Sequence, residues 1–192
     1  MEDLLSKHIK KIIDLSSLEL ALFEAALECR TLKRNEFLLR SGQIYDHQYF
    51  VVKGGLRQFE VDQNGKETIV HFGFENWWMT DMASFYMEEP SKYLIEALEE
   101  TELIQISRND LNRLLNTIPK LQYYFHITLQ ESAVIWQNKI LYLQKPAKQR
   151  YIMFRNIYGA IEQRISQQHV ASYLGISRET LSRVKSQVLR GI

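Results

Sequence analysis

The 192-residue sequence predicts an α+β fold in three parts: an N-terminal antiparallel β-roll, a long helix, and a C-terminal helix-turn-helix domain. Three observations lead there. Short β-prone segments alternate with turn signals at regular intervals through most of the first half of the chain. A helical pattern of apolar residues then runs without interruption from Pro119 to Gln144. Beyond Pro146 the charge changes sign. Eight basic residues against two acidic ones give that segment a formal +6, so the other 145 residues carry −5 of the overall +1. A basic end on an acidic body is the electrostatic footprint of a nucleic-acid-binding domain joined to something else.

The first thirty residues read as helix. Leu15-Ser16-Ser17 offers an N-cap, and Leu18, Leu22, Ala25, Ala26 and Leu27 recur at helical spacing. Strands follow. Phe37-Leu38-Leu39 precedes Ser41-Gly42, and Tyr49-Phe50-Val51-Val52 precedes Lys53-Gly54-Gly55. Leu56, Phe59 and Val61 lead to Asn64-Gly65, and Thr68 to Phe72 comes next. Asn64-Gly65 predicts a tight hairpin in which both residues take positive φ. Ile95, Ala97, Leu103, Ile104 and Ile106 supply the closing strands. His47 and His71 read as ordinary residues of the roll. Asp110 to Leu115 forms a short helix, and Pro119 suits the first turn of the long one.

Composition excludes several classes. With 45% hydrophobic and 24% charged residues, the chain can bury a core. It contains no apolar run near the roughly 20 residues of a membrane span. The N-terminus Met1-Glu2-Asp3-Leu4-Leu5 lacks the features of a signal peptide, so a cytoplasmic location is expected. Cys29 stands alone, which rules out an internal disulfide and a thiolate metal cluster and leaves it as a small core or strand residue.

The long helix carries two apolar stripes. Leu121, Thr128, Ile135 and Tyr142 fall every seven residues; Phe125, Leu129, Trp136, Ile140 and Leu143 fill a neighbouring face. Two apolar faces need two partners, the roll and a second copy of the chain. A single helix buried inside one globule is the alternative.

The last thirty residues carry the chemistry. Val170, Ala171 and Leu174 give one short helix its core face, and Gly175 supplies a left-handed turn. Ser177 caps a second helix, with Thr180 where a capping box has Glu or Gln. Leu181, Val184 and Val188 point inward. Arg178, Glu179, Ser182, Arg183 and Lys185 then face away from the core. Such a face suits a major groove, where arginine donates two bonds to guanine and glutamate accepts from cytosine. Ser166, Gln167 and Gln168 open the first helix, where backbone N–H groups hold phosphate.

Ser177-Arg178-Glu179-Thr180-Leu181-Ser182-Arg183-Val184 resembles the recognition helix of the Crp/Fnr (catabolite activator) family of bacterial regulators, and the layout of nearly the whole chain is similar. The resemblance implies a cyclic-nucleotide-binding-like jelly roll with N-terminal helices over residues 1–118, a dimerisation helix over 119–145 and a helix-turn-helix domain over 146–192. It also implies base contacts from Arg178, Glu179 and Arg183 and phosphate contacts from Ser166 and Gln168; the reading of the exposed face and helix starts adds Ser182 to the base contacts and Gln167, Ser177 and Lys185 to the phosphate contacts. The function it implies is non-enzymatic: transcription regulation by a dimer on a two-fold symmetric operator. The partners to expect are double-stranded DNA, a second copy through 119–145 and, as a further candidate, RNA polymerase; no membrane is expected. The competing reading is a sensor or scaffold module whose helical C-terminal domain binds protein.

Two departures from the family pattern matter. Members that bind cyclic AMP carry a Gly-Glu pair for the ribose and an Arg-Ser pair for the phosphate. This chain has Thr80-Asp81 and Ser91-Lys92 there. Asp81 suits a ribose hydroxyl, but lysine lacks the fork of arginine, which argues against cyclic AMP and leaves any effector unnamed. Trp77, Trp78, Phe85, Tyr86 and Tyr93 crowd the region. They either line a pocket for another effector, together with Asp81, Ser91 and Lys92, or fill the space a nucleotide would take. Only Leu189-Arg190-Gly191-Ile192 follows the recognition helix. The expectation is therefore that no two-stranded wing reaches phosphate and that affinity leans on the dimer. A metal-dependent enzyme built on the roll is excluded by the scarcity of histidines.

Overall fold

A computed structural model describes residues 2–190; Gly191 and Ile192, which bear on the expected missing wing, lie outside the described residues. Two compact units are present. Residues 1–59 with 72–130 form the first, and residues 60–71 with 131–192 form the second.

The N-terminal region is two helices and a strand rather than helix throughout. Helix α1 (Glu2–Lys10) buries Leu5 and Ile9. Helix α2 (Ser17–Glu24) starts at a full capping box: Ser16 Oγ accepts from the Glu19 N–H at 3.3 Å, and the Glu19 carboxylate accepts from the Ser16 N–H at 2.7 Å. Its buried residue is Phe23, whereas Leu18 is 72% exposed. Strand β1 (Glu28–Leu32) follows, and Cys29 within it is exposed, a strand residue but not a core one.

The roll is two four-stranded antiparallel sheets. One has the order β1, β8 (Thr101–Ser107), β3 (His47–Lys53), β6 (Trp78–Met79). The other has the order β2 (Phe37–Leu39), β7 (Leu94–Ala97), β4 (Gly55–Val61), β5 (Glu67–Phe74). Strand β8 lies between β1 and β3, with Cys29 opposite Ile104 and Phe50 opposite the same Ile104 on the other side. Leu32, Leu39, Tyr49, Val51, Leu56, Ile95 and Leu103 fill the interior. At the β3–β4 corner Gly54 has φ +95°. A Cβ there would meet Thr101 Oγ1 at 2.5 Å, so the close approach of the two segments needs glycine.

The β4–β5 hairpin turns differently from expectation. Gly65 has φ +76°, while Asn64 is not among the positive-φ residues. The Gly65 N–H donates to the Asp62 carbonyl, and Asp62 Oδ1 accepts from the N–H groups of Asn64 (2.8 Å) and Lys66 (2.9 Å). The Asp62 carboxylate organises a wider turn that needs only one left-handed residue.

A second hydrophobic cluster forms beside the sheets. Phe23, Phe50, Phe85, Ile104, Leu114, Leu121 and Tyr124 belong to it, contributed by α2, β3, α3 (Met82–Met87), β8, α4 (Arg108–Thr117) and the first turns of α5 (Pro119–Tyr142). The Tyr124 hydroxyl meets both His8 Nδ1 and Trp78 Nε1 at 2.8 Å. Among the described residues no helix is long and apolar enough to cross a membrane.

Within the second sheet Arg57 and Glu96 form a buried pair, with Nη2 and Nε 2.5 and 2.6 Å from the same carboxylate oxygen. The Glu96→Ala variant leaves the guanidinium buried without its carboxylate, and urea unfolding is expected to report a loss of about 3–5 kcal/mol.

Candidate nucleic-acid interface

The C-terminal helices are α6 (Ala147–Tyr158), α7 (Gln167–Leu174) and α8 (Arg178–Leu189), with a single 3₁₀ turn at Glu162–Arg164. Each short helix starts where the sequence places a serine. Ser166 Oγ accepts from the His169 N–H at 3.1 Å, and Ser177 Oγ accepts from the Thr180 N–H at 3.2 Å. Between them Gly175 takes φ +63°, ψ +39°. The Ile176 N–H donates back to the Ala171 carbonyl and the Gly175 N–H to the Ser172 carbonyl, satisfying the end of α7. Arg150 of α6 adds a third donor there, with Nη1 2.6 Å from the Leu174 carbonyl oxygen. Sequence spacing gave no sign of that contact, since 24 residues separate the pair.

An aromatic core holds these helices together. Phe154 and Tyr158 of α6 lie 5.6 Å from Tyr173 of α7 between ring centroids, and Tyr142 at the end of α5 lies 6.1 Å from it. Tyr173 is thus a core residue of α7 beside Val170, Ala171 and Leu174, and all four are buried. Leu181 and Val184 close the inner side of α8.

That packing leaves Arg178, Glu179, Ser182 and Arg183 exposed on α8, and Ser166, Gln167, Gln168 and Ser177 exposed at the two helix starts. Glu179 is held below its ordinary carboxylate range, first by the Ser177 hydroxyl and then by its own N–H, so it is an anion and an acceptor at neutral pH. Lys185 departs from the expected outward position. Its ammonium lies 2.6 Å from Glu162 and 6.0 Å from the Tyr151 ring centroid, while the Tyr151 hydroxyl donates to the same carboxylate at 3.0 Å. The attraction of a half-buried carboxylate turns this lysine inward.

The tip of the β4–β5 hairpin belongs to the same unit. Ser172 Oγ donates to the Glu67 carbonyl at 2.8 Å and accepts from the Ile69 N–H at 3.0 Å, so one side chain of α7 serves the edge of β5. A cleft of about 1150 Å³ follows, bounded by Lys66 and Ile69 on one side and by Gln168, Ser177 and Arg178 on the other. More than a hundred residues separate these segments, and no local pattern announces the contact.

The expected effector residues of the roll are dispersed. Asp81 is buried, and its Oδ1 caps α3 by accepting from the Ala83 N–H at 3.1 Å. Phe85 is buried in the helix-side cluster and Trp78 packs against it, so these two rings fill space rather than line one pocket. Tyr86 is exposed, with its hydroxyl accepting from Gln48 at 3.1 Å. Ser91 is buried and bonded to the Tyr93 backbone, Lys92 is exposed, and Trp77 is half-buried.

Comparison with known proteins gives two kinds of likeness. Residues 29–118 match the family model of the cyclic nucleotide-binding domain. The transcriptional activator protein Anr of Pseudomonas protegens is 29% identical over 178 residues, covering 85% of this chain and 71% of that protein. The transcriptional activator protein FnrA of Stutzerimonas stutzeri is 27% identical over 169 residues, covering 81% and 68%. Among solved structures, FixK2 from Bradyrhizobium japonicum superposes with a TM-score of 0.75 at 17% identity, covering 86% of this chain and 85% of that one. The catabolite activator protein of Thermus thermophilus gives 0.53 at 22% identity, covering 93% and 86%. The structural likenesses speak for the fold.

Gly175→Ala tests the turn directly. A Cβ would lie 3.4 Å from Arg150 Nη1 and so has room, but the left-handed backbone would be strained. Thermal or urea unfolding is expected to report a loss of about 1–2 kcal/mol.

Proposed function

We propose that the chain is a DNA-binding transcription regulator of the Crp/Fnr family that reads a two-fold symmetric operator as a dimer, with α8 in the major groove. The observation that carries this reading is the exposed face of α8. Two arginines, a charged glutamate and a serine stand clear of the core on a helix whose start is capped and whose inner side buries Leu181 and Val184. The proposed base contacts are Arg178, Glu179, Ser182 and Arg183. Ser166, Gln167, Gln168 and Ser177 are proposed to hold phosphate at the helix starts, where backbone N–H groups converge. Lys185 is left out of that set, because its charge is already paired with Glu162.

Dimerisation is proposed through α5. Val134 and Leu141 are 55% and 57% exposed on one side of it, while Leu129, Trp136 and Leu143 form a second exposed row. The Ile140 side chain, expected in that row, lies outside the described residues. Apolar rows of this length on a helix are stable only when covered. The proposed division of labour assigns residues 1–118 to sensing, 119–145 to dimerisation and 146–192 to DNA. The partners proposed are double-stranded DNA, a second copy and RNA polymerase, in the cytoplasm, with no enzymatic step. No cyclic-nucleotide phosphate site is proposed, since Lys92 stands where the family arginine would.

Selection of bound sequences from a random duplex pool tests the reading. The protein is expected to enrich a palindrome, with affinity falling steeply as salt rises. The Arg178→Ala and Arg183→Ala variants are each expected to lose about 1–3 kcal/mol on the enriched site and to relax its sequence. No enrichment by a folded dimer, with a protein partner captured instead, would overturn it in favour of a protein-binding module.

A further inference from the structure

Strand β5 and helix α7 meet in a contact that the exposed face of α8 does not use. β5 is the outermost strand of its sheet, beyond β4. An outermost strand presents a row of N–H and C=O groups with no further strand to pair them. At Glu67 and Ile69 one side-chain atom takes both kinds of group. Ser172 Oγ donates to the Glu67 carbonyl at 2.8 Å and accepts from the Ile69 N–H at 3.0 Å. A hydroxyl both donates and accepts at a single atom, so one serine replaces two groups of a missing neighbour strand.

The next residues of β5 are held by α5. The Val70 carbonyl accepts from the Lys139 ammonium, and the His71 ring lies 5.7 Å from that of Trp136 between centroids. Lys139 also sits 4.1 Å from the ring centroid of Tyr173, the residue after Ser172. Strand, long helix and α7 are thus joined in a triangle through Ser172, Lys139 and Tyr173. The strand corner is ordered by its own turn, where Asp62 Oδ1 accepts from the Asn64 and Lys66 N–H groups at 2.8 and 2.9 Å. The cleft beside this triangle is bounded by Lys66 and Ile69 and, across from them, by Gln168, Ser177 and Arg178.

We propose that Ser172 is a positioning residue for DNA binding, clasping the edge of β5 so that α7, and α8 packed on it, are held in the attitude that meets the duplex. The proposal rests on the DNA reading above. A helix pair released from the strand samples more attitudes. The fraction of chains competent to bind then falls, and apparent affinity falls with it. Both bonds of Ser172 go to the backbone of β5, so the side chains proposed to read bases are untouched. The loss is therefore the same for every sequence. A role in folding alone would lower the thermal midpoint and leave the affinity of the folded chain as it was.

The test uses the full chain and the duplex that the wild type enriches from a random pool, well below the thermal midpoint. Ser172→Ala removes the hydroxyl without weakening α7, since alanine is the better helix former. Its affinity is expected to fall about tenfold, in line with two lost neutral hydrogen bonds, with the enriched sequence unchanged. Ser172→Thr keeps the hydroxyl and is expected to stay within about threefold of wild type. Hydrogen exchange in the DNA-free chain reads the clasp itself. The Ile69 amide is expected to be protected in wild type and Ser172→Thr, and to exchange about tenfold faster in Ser172→Ala. A wild-type chain that enriches no duplex would strike the DNA reading. Three results would overturn the clasp alone: equal or tighter DNA binding by Ser172→Ala, an equal loss in Ser172→Thr, or an Ile69 amide indifferent to the substitution.

Discussion

The attitude of α8 depends on one aromatic contact set, the rings of Phe154, Tyr158 and Tyr142 around Tyr173. Tyr173 sits on α7, and its neighbours come from α6 and from the last turn of α5. Through those rings the last turn of the long helix, the linking helix and the first helix of the pair are packed together. The Gly175 turn then leads into α8, which Ser177 caps from an extended backbone and whose Leu181 and Val184 are buried. Rings at 5–6 Å in tilted and edge-on arrangements resist sliding, since each shift gives up contact area and favourable ring geometry together. A helix supported in this way presents its side chains in one orientation, which the proposed reading of bases by hydrogen bonds requires.

Charge is handled differently on the two sides of that core. Glu162 lies between Lys185 and Tyr151, so one carboxylate neutralises an ammonium and orders a phenol. Arg150 is turned onto the Leu174 carbonyl. Of the basic residues that make the C-terminal segment positive, these two stabilise the helices from within. Arg178 and Arg183 are left outside. The formal +6 therefore overstates the charge available to a phosphate backbone, and the proposed phosphate contacts lean correspondingly more on the helix starts at Ser166 and Ser177.

Much of this was legible locally. The α8 face follows from Leu181 and Val184 at helical spacing, the turn from Gly175, and the caps from Ser166 and Ser177; each signal sits within four residues of what it controls. The roll was legible from its turns, although Asp62 changed the geometry of the one at Asn64-Gly65. Strand β1 was not, because only Leu32 in it is fully buried and no alternation betrays it. Leu18 misled for the opposite reason: it keeps helical spacing yet faces out, and Phe23 carries the burial of α2. Lys185 could not be placed without Glu162, nor Ser172 without the hairpin edge at Glu67 and Ile69. Asp81 carried a local cap signal that the surrounding aromatics obscured. Where a side chain's partner lies beyond one helical turn, periodicity gives its face but not its fate.

The central claim is that two copies of α8 enter successive major grooves of one duplex. Guanine N7 lies in the major groove, so methylation interference on a bound duplex is the most direct measure of it. Methylation is expected to block binding at guanines in two symmetric clusters, about 10–10.5 base pairs apart between centres. Interference confined to a single cluster, or binding indifferent to N7 methylation at every guanine, would contradict it.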